Sequence, residues 1–430
     1  MNARKLFCLL IGGVALGALG CDDDPNEDAE PIELGTITSL TGDLSSLGPG
    51  WRDAVALAVQ ESNAAGGALS GRQMELNTED DRTTPEGGGA AAKTLVDMGV
   101  VGIIGAPASG SSVAAVEVTG PAKIPQISGT STSPVLNADD GSGGDADPYF
   151  FRTVPADHLQ GVVLAGAAFG EYNNADLNLT CTRLAIINLD NDYGNPFGNA
   201  VAERYDNLGG EVVLDIDYAE GQPTYVDDVN SLIGATPDCI ALIAYPDTGA
   251  IIVREWYEEG GDENVFWLGT DGLKNEFMDD IPAQAANGFL GTAPASNPNR
   301  PQLQAFQASY AASFGEDPQV FAEAIYDGAA LLVLAIAHAG SLDGDAVRES
   351  LFTVSGFDTG DENYGPGELV TAIAAIQAGR AINYEGGAGN VDFLPNGDVV
   401  ADYEVWEYDG TDFSGVATVD AEDIQAIVGD

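Results

Sequence analysis

Strands and helices alternate along this chain from residue 32 to residue 269, and that rhythm excludes most architectures. Residues 32–39, 74–79, 100–104 and 125–128 read as strands, with helical periodicity over 50–65, 85–98 and 113–122. The pattern resumes with helices over 159–172, 196–208, 227–234 and 248–259, and with strands over 184–189, 211–218, 240–244 and 265–269. Such alternation builds mostly parallel sheets covered by helices on both faces. Two successive runs in 430 residues make two doubly wound α/β units. Open sheets of this kind hold ligands at the carboxyl ends of their strands, and the space between two units is a natural cleft.

The N-terminus stands outside this rhythm. Arg4 and Lys5 precede an apolar run over 6–19 that is too short to span a membrane as a mature helix. Ala18-Leu19-Gly20-Cys21 follows and resembles a bacterial lipoprotein signal. On that reading residues 1–20 are removed, Cys21 is lipid-modified, and 21–31 form an acidic tether to the membrane. The alternative is a secretory peptide with an incidental cysteine. Cys8 leaves with the signal, so Cys181 and Cys239 remain, each just before an apolar strand-like run. If those strands are neighbours in a parallel sheet, the two thiols share an edge and form a disulfide in an oxidising compartment. Two free buried thiols are the competing reading.

Charge narrows the partners. The chain carries 68 Asp+Glu against 15 Lys+Arg. Such a surface repels nucleic acid and anionic lipid, which leaves a lipid anchor as the expected membrane contact. The acids are spread among apolar periodic segments, so they read as a solvated surface suited to a salty milieu.

Two polar turns carry the chemistry. After Ile104 the chain turns through Gly105 to Gly110 and enters a helix near Ser112. The free N–H groups of a helix's first turn favour an anion. The Gly-Lys-Ser/Thr ending of a phosphate loop is missing, and no basic residue lies nearby for a polyanion. The turn therefore suits one small anion such as a carboxylate, with Ser109 as hydroxyl donor, or is simply a helix start. A second turn, Ser128-Gly129-Thr130-Ser131-Thr132-Ser133-Pro134, follows the next strand. In a parallel sheet the two turns are neighbours able to share one ligand.

The segments GAPASG and KIPQISGTSTSP, in that order, resemble the leucine/isoleucine/valine-binding protein family, the substrate-binding proteins of ABC importers. The resemblance extends over nearly the whole chain. ELGTITSLTGDLSSLGPGWRDAVALAVQESNAAGGALSGRQMEL is similar to the family's first strand, ligand loop and helix, ASFGEDPQVFAEAIYDGAALLVLAI to its late lobe-one helices, and INYEGGAGNVDFLPNGDV to its final hinge and hairpin. It implies an α/β, two-lobed type I periplasmic-binding fold, each lobe a doubly wound, mostly parallel sheet flanked by helices. Lobe one would comprise 32–153 and 293–386, and lobe two 154–292 and 387–430. Crossovers are expected near 153–155, 291–293 and 386–389.

The resemblance also implies a site. A bound amino acid's carboxylate would sit on Ser109, Gly110, Thr130 and Thr132. Its ammonium would meet Asp271, and Tyr193 and Tyr245 would wall the cleft. Leu47 stands where the family often presents an aromatic, which reshapes the side-chain pocket and puts aliphatic specificity in doubt. The implied role is an extracytoplasmic, lipid-anchored solute-binding protein that passes a branched-chain-like amino acid to an ABC permease, with no cofactor or metal. A ligand sensor, or an importer component for an amide, urea or aromatic acid, is the alternative.

An enzyme is not expected. The two histidines, His158 and His338, have no obvious partner, and no nucleophile elbow or metalloprotease motif occurs. Acidic loops over 137–148 and 357–366 lengthen the family pattern. Asp139, Asp145 and Asp147 could hold calcium, but their spacing misses the EF-hand pattern, and solvated loops are the expectation.

Overall fold

The computed structural model describes residues 30–429 except 70, 138–147, 176, 276 and 357–361. The signal segment, Cys21, most of the acidic tether and the Asp139, Asp145 and Asp147 loop lie outside the described residues.

The first unit runs β1 (Ile32–Thr38), α1 (Gly48–Ala64), β2 (Met74–Asp80), α2 (Pro85–Met98), β3 (Ile103–Ile104), α3 (Ser109–Ala122), β4 (Gln126–Ser128) and β5 (Phe150–Arg152). Its five strands lie in the order β2-β1-β3-β4-β5, all parallel. Local chemistry fixes the ends. At α2 the Thr84 hydroxyl accepts the Gly87 N–H at 3.1 Å, Pro85 opens the first turn, and Gly99 closes it in the left-handed region at φ 83°.

The second unit runs α4 (Asp157–Phe169), β6 (Leu184–Leu189), α5 (Gly194–Asn207), β7 (Val212–Tyr218), α6 (Val226–Ala235), β8 (Cys239–Ile243), α7 (Pro246–Glu258), β9 (Phe266–Gly269), the short helices α8 (Phe277–Asp280) and α9 (Ala283–Ala286), and β10 (Phe289–Pro294). The chain then returns to the first unit with α10 (Pro301–Phe314), α11 (Ala322–Ala339), α12 (Gly344–Val354), β11 (Asn363–Tyr364), α13 (Leu369–Gln377) and β12 (Asn383–Tyr384). It ends with β13 (Tyr403–Tyr408), β14 (Phe413–Val419) and α14 (Ala421–Gly429). The second sheet has the order β14-β13-β10-β9-β8-β6-β7, parallel except for the antiparallel β10-β13-β14 edge. This is the two-lobed, mostly parallel α/β architecture that the alternation implied.

By length and composition α11 could cross a membrane, but 83% of it is buried. It is the core helix of lobe one, its apolar faces covered on all sides.

Two boundaries shift. Residues 153–155 do lie between β5 and α4, but 291–293 lie inside β10, so the chain leaves the second sheet only after Pro294. At the third crossover the Gly387 and Ala388 N–H groups donate to Asp327 of α11, both at 2.9 Å. Beyond it, the Arg152 N–H of β5 donates to the Gly397 carbonyl, and Phe393 packs on Phe151 with ring centroids 5.0 Å apart. The chain joins the second sheet at Tyr403, later than the 387 boundary drawn from sequence. Cys181 and Cys239 form a disulfide beside the paired strands β6 and β8, at their amino ends.

Candidate ligand-binding cleft

The carboxyl ends of both sheets converge on a cavity of about 40 Å³ between the lobes. From lobe one, the loop after β1 and the start of α1 supply Leu44, Leu47 and Trp51, the turn after β3 supplies Pro107 and Ser109, and the turn after β4 supplies Thr130 and Thr132. From lobe two come Tyr193, Tyr245, Asp271 and Gly272, each just past a strand end. Val320 and Phe321, leading into α11, complete the wall.

The anion side is built on α3. This helix begins at Ser109, three residues earlier than the sequence suggests, and no side chain caps it. Its first-turn N–H groups thus have no intrahelical acceptor and face a cavity where negative charge is favoured. Gly105, at φ 118°, lets the preceding turn approach β1: a Cβ there would lie 2.2 Å from the Ile37 carbonyl oxygen. Hydroxyls hold the two turns together. Ser112, Ser128 and Ser131 all donate to the Ala106 carbonyl at 2.8–2.9 Å, and Thr130 donates to Pro107 O at 2.9 Å. Most of the hydroxyl run therefore fastens one turn to the other. The Thr130 hydroxyl is committed as a donor, which leaves Ser109 and Thr132 as the hydroxyls for a ligand.

Gly110 is the exception among the expected residues. It is not among the residues that line the cavity. A Cβ at Gly110 would lie 3.4 Å from Asp192 Oδ2 of lobe two, so it marks where the lobes touch.

The opposite side is acidic. Asp271 follows β9 and is 4% exposed. Its Oδ1 accepts the Gln160 amide at 2.8 Å, and burial pushes its pKa up to about 6. Asp157, in the first turn of α4, is fully buried against the Thr132 turn, with its backbone N–H donating to the Thr132 carbonyl at 2.8 Å and the Thr132 side chain as its polar neighbour. Desolvation first, and the Asp271 charge second, push its pKa well above the carboxylate range. The Arg152 charge opposes this only weakly. That guanidinium is engaged with Asp398 through Nη2 at 3.0 Å and with the Ser133 carbonyl at 2.8 Å. Among the described residues neither of these neighbouring buried acids makes a salt bridge, an incomplete arrangement that a ligand ammonium near Asp271 would complete.

The tyrosines form one wall. Tyr193 and Tyr245 stack at 5.5 Å with planes 7° apart, and the Tyr193 hydroxyl shares a 2.8 Å hydrogen bond with Thr270. Trp51 donates its indole N–H to Val320 O at 2.8 Å and so ties the first helix to the loop before α11. His158 and His338 line no part of this cavity. His338 pairs with Ser350 at 3.0 Å on the far side of α11.

Sequence reasoning missed Trp51 and Phe321, which line the cavity, and Gln160 and Asp157, which support and charge the surroundings of Asp271. The signal for Asp157 was present, an acid directly after the first crossover, but an acid at a helix start also has the ordinary job of meeting the helix dipole.

Residues 31–411 match the periplasmic binding protein family. The chain belongs to that family. Among its relatives, a chemotactic signal transduction system substrate-binding protein, BasB, of Halobacterium salinarum is 26% identical, covering 84% of this chain and 83% of its own. A leucine-, isoleucine-, valine-, threonine-, and alanine-binding protein of Pseudomonas aeruginosa is 23% identical over 78% of this chain and 86% of its own. In structure, the leucine-binding protein LivK of Thermotoga maritima superposes with a TM-score of 0.74 at 21% identity, covering 91% of this chain and 99% of the other. A Rhodopseudomonas palustris ABC transporter solute-binding protein in complex with 3,4-dihydroxybenzoic acid gives 0.70 at 20% identity, covering 91% and 98%. These likenesses establish the two-lobed periplasmic-binding fold. The family consists of solute-binding proteins and places the chain outside the cytoplasm.

Proposed function

We propose that this periplasmic binding protein captures an α-amino acid between its lobes and presents it to an ABC permease from a lipid anchor at Cys21. The carrying observation is the polarity of the cavity. An uncapped helix start with Ser109 and Thr132 faces Asp271, a buried acid that makes no salt bridge among the described residues, and the buried Asp157 adds a second negative charge close behind. A zwitterion matches both ends at once. Leu44, Leu47, Trp51 and Phe321 offer apolar surface to an aliphatic stem, in keeping with a branched-chain-like ligand. Ligand docks on the lobe-one turns, and lobe two then closes Asp271 and the tyrosines over it. Closure excludes water, which strengthens both charged contacts.

A thermal-shift screen of the soluble form from residue 22, covering amino acids, short amides and aromatic acids, tests this. At a hundredfold excess over Kd, a true ligand adds about 2.7 kcal/mol of stability. A response to α-amino acids alone supports the reading; a response only to ligands without an ammonium contradicts it.

The likeness to the chemotaxis protein of Halobacterium salinarum favours one second reading, in which the closed form signals instead of delivering. Uptake of labelled ligand in a deletion strain separates the two: a transporter's loss abolishes uptake, whereas a sensor's loss abolishes only the response.

A further inference from the structure

The closed cavity is small for the ligand class just proposed. Ligand pockets commonly measure about 300–1,000 Å³, against about 40 Å³ here. With the carboxylate on α3 and the ammonium on Asp271, the ligand's side chain points at Leu47, Trp51, Val320 and Phe321. Behind Val320 and Phe321 lies a second cavity of about 280 Å³, and these two residues line both spaces.

Phe321 is an unusual wall. It is half-buried, and its backbone sits in the left-handed region at φ 66°, uncommon for a bulky residue and concentrated at functional sites. The chamber behind it holds the ion pair Lys274–Glu404, whose charges cancel, and Glu323. Among the described residues no salt bridge reaches Glu323, although the Lys274 charge favours its ionised form, so the chamber's charged groups sum to one negative charge when Glu323 is ionised. Burial, outweighing the opposing Lys274 charge, pushes Glu323 up to about 7. Leu303 and Val399 give the same space apolar surface.

We propose that Phe321 is a movable partition and that the bound α-amino acid has a long side chain ending in a cation, whose tail passes Phe321 and meets Glu323 in the hinge-side chamber. The inference rests on the α-amino-acid reading above and names the substrate class more narrowly. The aliphatic stem lies between Leu47 and Trp51, and the charge lies beyond.

Calorimetry with leucine, norleucine, lysine and arginine on the wild-type chain, Glu323→Gln and Ser296→Trp tests it. Ser296 is at the chamber's exposed rim, so its substitution narrows the space without disturbing the core. A charge-assisted contact makes lysine or arginine bind at least about tenfold tighter than norleucine. Glu323→Gln and Ser296→Trp should each remove that preference and leave leucine within about twofold. Leucine binding with no gain for lysine or arginine over norleucine would overturn the chamber's role and leave the amino-acid reading intact. An unchanged lysine preference in both variants would do the same. Failure of all four to bind would overturn the amino-acid reading and the chamber's role with it.

Discussion

Asp271 and Asp157 are buried where a carboxylate is costly, and their titration is the most direct residue-scale handle on the site. The pKa of Asp271 rises from its ordinary 3.8 to about 6. Between those values the folded, ligand-free protein keeps a proton that the unfolded chain has lost. Its contribution to stability is thus present below 3.8 and lost as pH rises through about 6. A ligand ammonium needs the ionised form, so binding has the opposite dependence. The thermal shift given by an α-amino acid should grow from pH 5 to pH 7.5, as melting curves at each pH will show. Asp157→Asn should raise ligand-free stability at alkaline pH by roughly 1–2 kcal/mol, since a buried carboxyl that is costly to ionise is removed, while it weakens the ligand. Equal loss of both would mark Asp157 as purely structural. Ser109 was legible from the polar turn after an apolar strand, whereas Thr132, Tyr193, Tyr245 and Asp271 were named through the family resemblance, and all five line the cavity. Phe321 was not legible, since nothing periodic marks a residue just ahead of a buried helix.

At the scale of elements, the alternation carried most of the information. The ladder of β1, β2, β6, β7, β8 and β9 follows runs already apolar or alternating in the sequence. The antiparallel β13 and β14 edge lay in a tail read only as part of lobe two, because its place depends on β10, more than a hundred residues earlier in the chain. The serine and threonine turns mixed two roles. Thr130 and Ser131 fasten the turn at Ala106 and Pro107, a task invisible until β3 and β4 are paired. The disulfide closes a separation of 58 residues at the amino ends of β6 and β8, whereas the ligand sits at the carboxyl ends. Replacing both Cys181 and Cys239 by alanine should destabilise the chain by roughly 4 kcal/mol on the loop-entropy estimate. Ligand affinity of the still-folded protein should stay nearly unchanged. Chemical denaturation and calorimetry on the same sample check the two halves of that statement.

At the scale of the whole molecule, closure works against charge. The net charge is −53, and the closed lobes bring Asp43 and Asp81 of lobe one towards Glu220 and Asp247 of lobe two. Burial, and then the Asp43 charge, push Glu220 up to about 7. Self-repulsion of this kind is screened over a Debye length of about 10 Å at 0.1 M salt. Affinity for an uncharged-side-chain amino acid should therefore rise with ionic strength, although salt also screens the ligand's own contacts. Those contacts are buried and are screened less. A fall in affinity on going from low to high salt would show that closure does not press these acids together.

The central claim is that a zwitterion bridges α3 and the buried acids, and a thermodynamic cycle tests it most directly. The best α-amino acid and its analogue lacking the amino group are each titrated into the wild-type chain and Asp271→Asn. The account predicts that losing the ligand's ammonium weakens binding to the wild-type chain by about 2 kcal/mol or more and costs much less in Asp271→Asn, so that the two changes are coupled. Equal penalties in both proteins would contradict it, because the ammonium would then be held somewhere other than Asp271.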